Sequence, residues 1–577
     1  MCPIINFIER SVVMSHLFSL TPSVKVQRSA FDRSHTYKTT FNAGKLIPFF
    51  CDEVLPGDTF NLKANLFCRM ATPIVPIMDN LYLETFFFFV PNRLVWDNFQ
   101  KFMGEQENPG DSIDYIVPDA AILGSGSPEA ESLFDYFGLP TGKLRFRFNA
   151  LPFRGYYLIW NEFFRDQNLQ DSVPVDKTDD QIISGGASNL PNGFLAPYKT
   201  GSCLPRGKRH DYFTSCLPSP QKFEALRIPL TGNAPVLGNG KTLGLTDGTN
   251  FGALIDDAAV SNTFNINTTL YNKNLGASPT ANTSFESNVG IGVPTKTMLT
   301  AEGHTVDESG LYADLSAVTA ATINDLRTAF QIQRLLESQN RSGTRYKELL
   351  LGCFGINNGD ARLQRPEYLG GSSCRINVNP VMQTSSTDST TPQGNLAAYA
   401  VAADRVNGFV KSFTEHGYII GLVNVRADLN YQQGLNRMWS RRTRYDFYWP
   451  TLAHLGEQAV LNKEIYLQGS TTVDDDGNPV DENVFGYQER WAEYRYFPNM
   501  ITGKMRSTYS QSLDVWHLAQ KFDSLPTLSN QFIQDDPPIS RVVAVQDEPQ
   551  FLLDVYFKMK CVRPMPVYSI PGLIDHF

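Results

Sequence analysis

Arginine dominates one stretch of the sequence. Between positions 426 and 445 stand Arg426, Arg437, Arg441, Arg442 and Arg444, with Trp439 and Tyr445 among them and Asp428 the single acid. Guanidinium groups pair with phosphates and aromatic planes stack on unpaired bases, so this composition suits single-stranded nucleic acid. Arg437, Trp439, Arg441, Arg442 and Arg444 are the candidates for that contact. A second, smaller basic cluster holds Arg206, Lys208 and Arg209, followed by His210. The competing account of both clusters is structural: arginines that bridge subunits or neutralise carboxylates within the fold. A formal net charge of -9 argues against coating nucleic acid by bulk charge and leaves the role to local patches.

Enzymatic chemistry finds little support. There is no GxxxxGK(S/T) phosphate loop, no HExxH and no GxSxG elbow, and the eight histidines are isolated. Asp474-Asp475-Asp476-Gly477-Asn478 resembles the opening of a calcium loop. Pro479 stands where that loop needs glycine, however, and no glutamate fills its last position, so the stretch reads as an acidic turn. Carboxylates that converge only in three dimensions, as in glycosidases, have no pointer in the sequence. No catalytic residue, metal ligand or cofactor is assigned. The eight cysteines show no CxxC pair and read as reduced thiols of a cytoplasmic setting.

The elements that must position the clusters are mainly strands. Phe86 to Phe89, then Val90 and the stop at Pro91, predict a strand buried on both faces. Leu94, Val95, Asn98, Phe99, Phe102 and Met103 then recur at helical spacing. They predict a helix capped by Asn92 and ended by Gly104. Phe60, Leu62, Ala64, Leu66 and Cys68 alternate with polar residues after the turn signal Pro56-Gly57-Asp58, and predict a half-buried strand. The two strands suggest an antiparallel sheet. Positions 416–429 predict another buried strand, and Phe551 to Lys560 alternate cleanly, as in a strand that pairs back with early ones. Tyr156, Ile159, Trp160, Phe163 and Phe164 share a helical face within 153–169. The longest helix is expected from Thr322, with Asp325 in its first turn and Gly343 after its end, and a second from Tyr346 to Phe354. Residues 22–48 lack a helical stripe and read as an extended arm, lying on a neighbouring subunit or on its own. Residues 231–310, rich in Gly, Asn, Thr, Ala and Ser, read as a long surface insertion with weak β character.

The chain is long, 577 residues, with 39 Phe, 24 Tyr and only 19% charged residues. A surface so poor in charge fits burial against other subunits as well as it fits a large core. Glu9 and Arg10 interrupt the N-terminus before any secretory apolar region, and no apolar run approaches membrane-spanning length.

Several stretches together resemble one family. They are "RSAFDRSHTYKTTFNAGKLIPFF", "DEVLPGDTFNL", "MDNLYLETFFFFVPNRLVWDNFQKFMGE", "LPRGKRHDYFTSCLPSPQK", "RPEYLGGSS" and "GLNRMWSRRTRYDFYWP". They are similar to the major capsid protein of the Microviridae, in particular the gokushovirus branch of these small single-stranded DNA phages. The likeness runs from about Met14 to the C-terminus, apart from most of 231–310. Residues 1–13 depart from it and are expected to be a non-native or disordered extension.

The resemblance implies a mainly β fold: an eight-stranded antiparallel jelly-roll sandwich with large, partly helical insertions between strands. Residues 14–230 would hold the first part of the core with the arm. Residues 231–310 would form the protrusion at the threefold axes, and 311–577 the second part with helical insertions and the C-terminal strand. It further implies a structural protein without enzymatic activity, which self-assembles into a T=1 icosahedral shell around circular single-stranded DNA. The partners implied are a small basic DNA-packaging protein, internal scaffolding and pilot proteins, and a host cell-surface receptor reached through the 231–310 insertion. Its place would be the virion, with assembly in the host bacterial cytoplasm and no membrane insertion. A fibre or lectin-like binding sandwich is the competing class, and an enzyme the third.

Overall fold

The computed structural model describes residues 26–122, 129–142, 146–179, 202–223, 323–342, 351, 364–388, 392–469 and 471–568, with short strands within 182–313. The extension 1–13, the helix expected over Tyr346–Phe354 apart from the helical Leu351, and most of 231–310 lie outside the described residues. The chain divides into two compact units: Met1–Lys222 with Glu337–Phe577, and Phe223–Leu336.

The first unit is built on one antiparallel sheet. Its early strands are β1 (Ser29–Asp32), β2 (His35–Phe41), β3 (Ile47–Val54), β4 (Thr59–Met70) and β5 (Leu81–Pro91). Later strands are β6 (Glu367–Met382), β7 (Leu396–Ser412) and β8 (Gly417–Ala427). A separate pair follows, β9 (Glu457–Leu461) with β10 (Val484–Glu489), and β11 (Phe551–Arg563) returns to the main sheet. Across that sheet the order is β1–β11–β4–β7–β6–β5–β8–β3, with β2 also on β11. β1 and β2 share one register along β11, Ser29 opposite Arg563 and His35 opposite Phe557, and so form two halves of one edge.

The side-chain pattern explains which face each strand buries. β4 turns Phe60, Leu62, Ala64, Leu66, Cys68 and Met70 inward, and β11 does the same with Phe551, Leu553, Val555, Phe557, Met559 and Cys561. Both have a solvated outer face, hence their alternation. β5 has no such face. Phe87 points inward, its ring 5.5 Å from those of Phe49 and Phe409. Phe86 and Phe88 point the other way, where Phe164 and Phe163 cover them at 5.2 and 4.7 Å. These covering rings follow α1 (Leu151–Ile159), in its π-helical extension Trp160–Phe164. The sheet curls until its ends meet: Phe49 and Phe50 of β3 lie 5.6 and 5.0 Å from Phe557 of β11. The curled sheet fits a β sandwich with insertions, in line with the jelly-roll expectation, with nine strands described in it where eight were expected.

Three expectations change in detail. The helix after β5 is broken into a 3-10 turn, Asn92–Leu94, and one helical turn, Phe99–Phe102. Asn92 does not cap it through its side chain. The backbone is drawn elsewhere: the Asn92 N–H donates to the His416 carbonyl and that of Asp97 to Lys177, both at 3.0 Å. Gly104, at φ +102°, does end the segment. The described part of the arm consists of β1 and β2, edge strands on the chain's own β11, and its mixed polarity reflects an outer face left in solvent. Finally, β4 and β5 share the sheet without being neighbours, since β7 and β6 lie between them. The expected long helix is present as α2 (Ile323–Ser342), with Asp325 in its first turn.

Within the second unit, Phe264–Ile266, Phe251–Asp256, Leu243–Thr246 and Met298–Ala301 form an antiparallel sheet in that order. Leu311–Ala313 pairs with Val236–Gly238.

Candidate nucleic-acid interface

The arginine-rich segment leaves β8 and folds as a chain of tight turns. Asn436 starts the first: its side-chain oxygen accepts from the Met438 N–H at 3.0 Å and opens the 3-10 turn Arg437–Ser440. Thr443 and Asp446 form a capping box around the next, Arg444–Asp446. The Thr443 and Arg442 N–H groups donate to Asp446 at 2.7 and 2.9 Å, and these bonds hold its carboxyl below the usual range. Turns this short place successive side chains on different sides of the backbone.

The five candidates therefore separate into two groups. Arg437 turns inward, donating to the Ala459 carbonyl at 2.7 Å and to Glu464 at 3.0 Å. Arg441 does likewise, reaching Glu493 at 3.2 Å and the Tyr494 hydroxyl, with its guanidinium 4.2 Å over the Tyr494 ring. Glu464 is buried and the Glu493 side chain nearly so, and burial raises the Glu464 carboxyl above its ordinary pKa despite Arg437 beside it. These two arginines bind β9, the helical turn Asn462–Ile465 and the segment after β10 into one body. Arg442, Arg444 and Trp439 face solvent, Trp439 being 71% exposed. Among the described residues neither Arg442 nor Arg444 has a carboxylate partner; Arg444 lies 4.6 Å over the Tyr445 ring and donates to its hydroxyl.

The second basic cluster is turned into the protein. Arg206 lies 4.6 Å over the Phe164 ring and 3.9 Å from the buried Glu84, which Arg426 also meets at 2.8 Å. Burial, with Arg426 nearby, brings the Arg206 pKa down to about 9. Lys208 is buried over the Phe532 ring at 4.4 Å and donates to Gln520 at 2.8 Å; burial lowers it to about 8. Arg209 pairs with Asp428 at 2.9 Å and covers Tyr82. The cluster pins this loop to the sheet and to the bridge between Gly207 and Gln534. At the acidic turn, Asp474 accepts from the N–H groups of Asp476 and Asn478 and from the Asn483 amide, so its carboxylate closes its own turn.

The comparison with known proteins decides what this architecture is. Residues 19–573 match the family model "Capsid protein (F protein)". The chain belongs to this phage capsid protein family. It is 45% identical to capsid protein VP1 of Chlamydia phage 1, across 97% of this chain and 98% of that one. With capsid protein VP1 of Bdellovibrio phage phiMH2K it shares 44%, over 97% and 98% of the two chains. With that of Spiroplasma virus 4 it shares 38%, over 97% of both. All are Microviridae capsid proteins, so the chain is a structural component of a virion that self-assembles into its shell, and not an enzyme. Among its described residues no helix is long and apolar enough to cross a membrane.

Two features of this capsid protein escape a reading of the arginines alone. The carboxylates that engage Arg437 and Arg441 lie far along the chain, in segments with no local signal. The second is the run Tyr494-Arg495-Tyr496-Phe497-Pro498-Asn499-Met500. Its aromatics interrupted by proline are visible in the sequence, without a periodicity that assigns them. Tyr496, Phe497 and Met500 are exposed, and with Tyr431 and Phe213 they line a small pocket of about 70 Å³.

Proposed function

We propose that this capsid protein forms a T=1 icosahedral shell around circular single-stranded DNA, with Arg442, Arg444 and Trp439 turned toward the genome. One observation carries the DNA contact: two exposed cations without carboxylate partners among the described residues, Arg442 and Arg444, lie within five positions of the exposed Trp439. That pairing suits a flexible polyanion, with arginine on phosphate and the ring on a base. Arg437 and Arg441 hold the turns in place and leave the contact to their neighbours. The acidic net charge of -9 fits a small basic protein packaged with the DNA. Internal scaffolding and pilot proteins complete the assembly partners, in the host bacterial cytoplasm. The 231–310 insertion serves as the threefold protrusion that meets a host receptor; support comes from strands within 236–313 that pair with one another.

The test is the double substitution Arg442→Ala, Arg444→Ala in the chain expressed with its neighbouring phage proteins. Particles should assemble in normal yield and retain several-fold less genome, read as the ratio of filled to empty particles in a density gradient. A normal proportion of filled particles would remove these arginines from the genome contact.

A further inference from the structure

The pocket beside the arginine segment has an apolar rim and a polar floor whose charges are already matched. Tyr496, Phe497 and Met500 stand 56, 68 and 63% exposed at its edge. On its floor Arg437 is held by Glu464, and the Tyr212 hydroxyl donates to the other oxygen of Glu464 at 2.9 Å. Glu493, also lining the pocket, is engaged by Arg441. Arg506, at the pocket wall and half-buried, has no carboxylate partner among the described residues.

We propose that this pocket is a contact between coat subunits. It receives an apolar ridge from a second copy of this chain, with Arg506 meeting a carboxylate of that copy. Three arguments select this occupant. Tyr, Phe, Met and Arg are the side chains enriched at protein interfaces, and aromatic rims around a recess make the anchoring points of such contacts. A polyanion is disfavoured: Arg437 is committed to Glu464 and Arg441 to Glu493, which leaves Arg506, among the described residues, as the one uncommitted lining cation to meet a phosphate. A closed shell, lastly, is assembled by heterologous contacts, in which a recess on one subunit accepts a different surface of the next. The inference rests on assembly of the family into a shell and is independent of the DNA contact proposed for Arg442 and Arg444.

The test uses the full chain, expressed with its neighbouring phage proteins, carrying Phe497→Ser. Because Phe497 is mostly exposed, the unassembled subunit should keep its circular dichroism spectrum and thermal midpoint. The yield of closed particles, counted by electron microscopy and sedimentation, should fall roughly tenfold or more, as for loss of an interface anchor. Closed particles at normal yield overturn the proposal, and if those particles lack DNA the pocket belongs to the genome instead. Should Phe497→Ser shift the thermal midpoint, Arg506→Glu decides the matter by charge alone. Reduced particle yield with an unchanged midpoint supports the contact, and unchanged yield rejects it.

Discussion

Arg441 lies against Glu493 and the Tyr494 ring, whereas the Arg442 side chain stands in solvent, and substitution should separate the two. Glu493→Ala leaves Arg441 without its carboxylate in a site where both side chains are nearly buried, at 10% and 7% exposure. Breaking such a pair from one side costs about 3–5 kcal/mol. Arg442→Ala should stay within about 0.5 kcal/mol of the parent, as at other exposed positions. Denaturant unfolding of the unassembled subunit measures both; equal losses would contradict the separation. Asp535 provides a pH signature. Burial raises its carboxyl from 3.8 to about 7, against the pull of Arg426 and Lys208. A carboxyl that holds its proton more tightly in the fold gives stability that is full below the unfolded value of 3.8 and is lost as pH rises through about 7. Asp535→Asn should therefore flatten the fall of the thermal midpoint between those limits. An unchanged slope would place the titration elsewhere.

At the level of elements, the curl of the sheet depends on Phe557, fully buried where β11 meets Phe49 and Phe50 of β3. Phe557→Ala should cost about 3–5 kcal/mol. Its neighbour Tyr556, 44% exposed on the outer face, should tolerate Ala at under about 1 kcal/mol. Similar losses at the two positions would mean that the outer face is covered. The alternation that separates these residues was legible from the sequence, as was that of β4, because one face of each strand is solvated. The uninterrupted apolar run of β5 announced burial on both faces but not what covers the second. Phe163 and Phe164 lie more than seventy positions further along, and only the fold shows them seated on Phe86 and Phe88. Strand order was illegible for the same reason. β4 pairs with β7 and β11, whose sequences carry no mark of their partner. The helix expected after β5 failed because two backbone hydrogen bonds to distant segments outweigh a local periodicity. The arginine cluster was legible as a concentration of charge, and its division into inward and outward members was not, since Glu464 and Glu493 arrive from elsewhere.

For the whole molecule, low charge and exposed aromatics belong together once the chain is one subunit of a shell. Trp439, Tyr496 and Phe497 would be a liability on a solitary protein in solution. In a closed assembly, contacts on the order of 2,000 Å² or more each can cover such surfaces. Family membership comes from the match across residues 19–573, and the curled sheet with its insertions is consistent with it. The most direct measurement is electron microscopy of the purified chain, expressed alone and then with its neighbouring phage proteins. Closed particles of one small, uniform diameter in the second preparation are the predicted result, with surface bumps that vanish when 231–310 is deleted. Small discrete oligomers in both preparations would contradict the account.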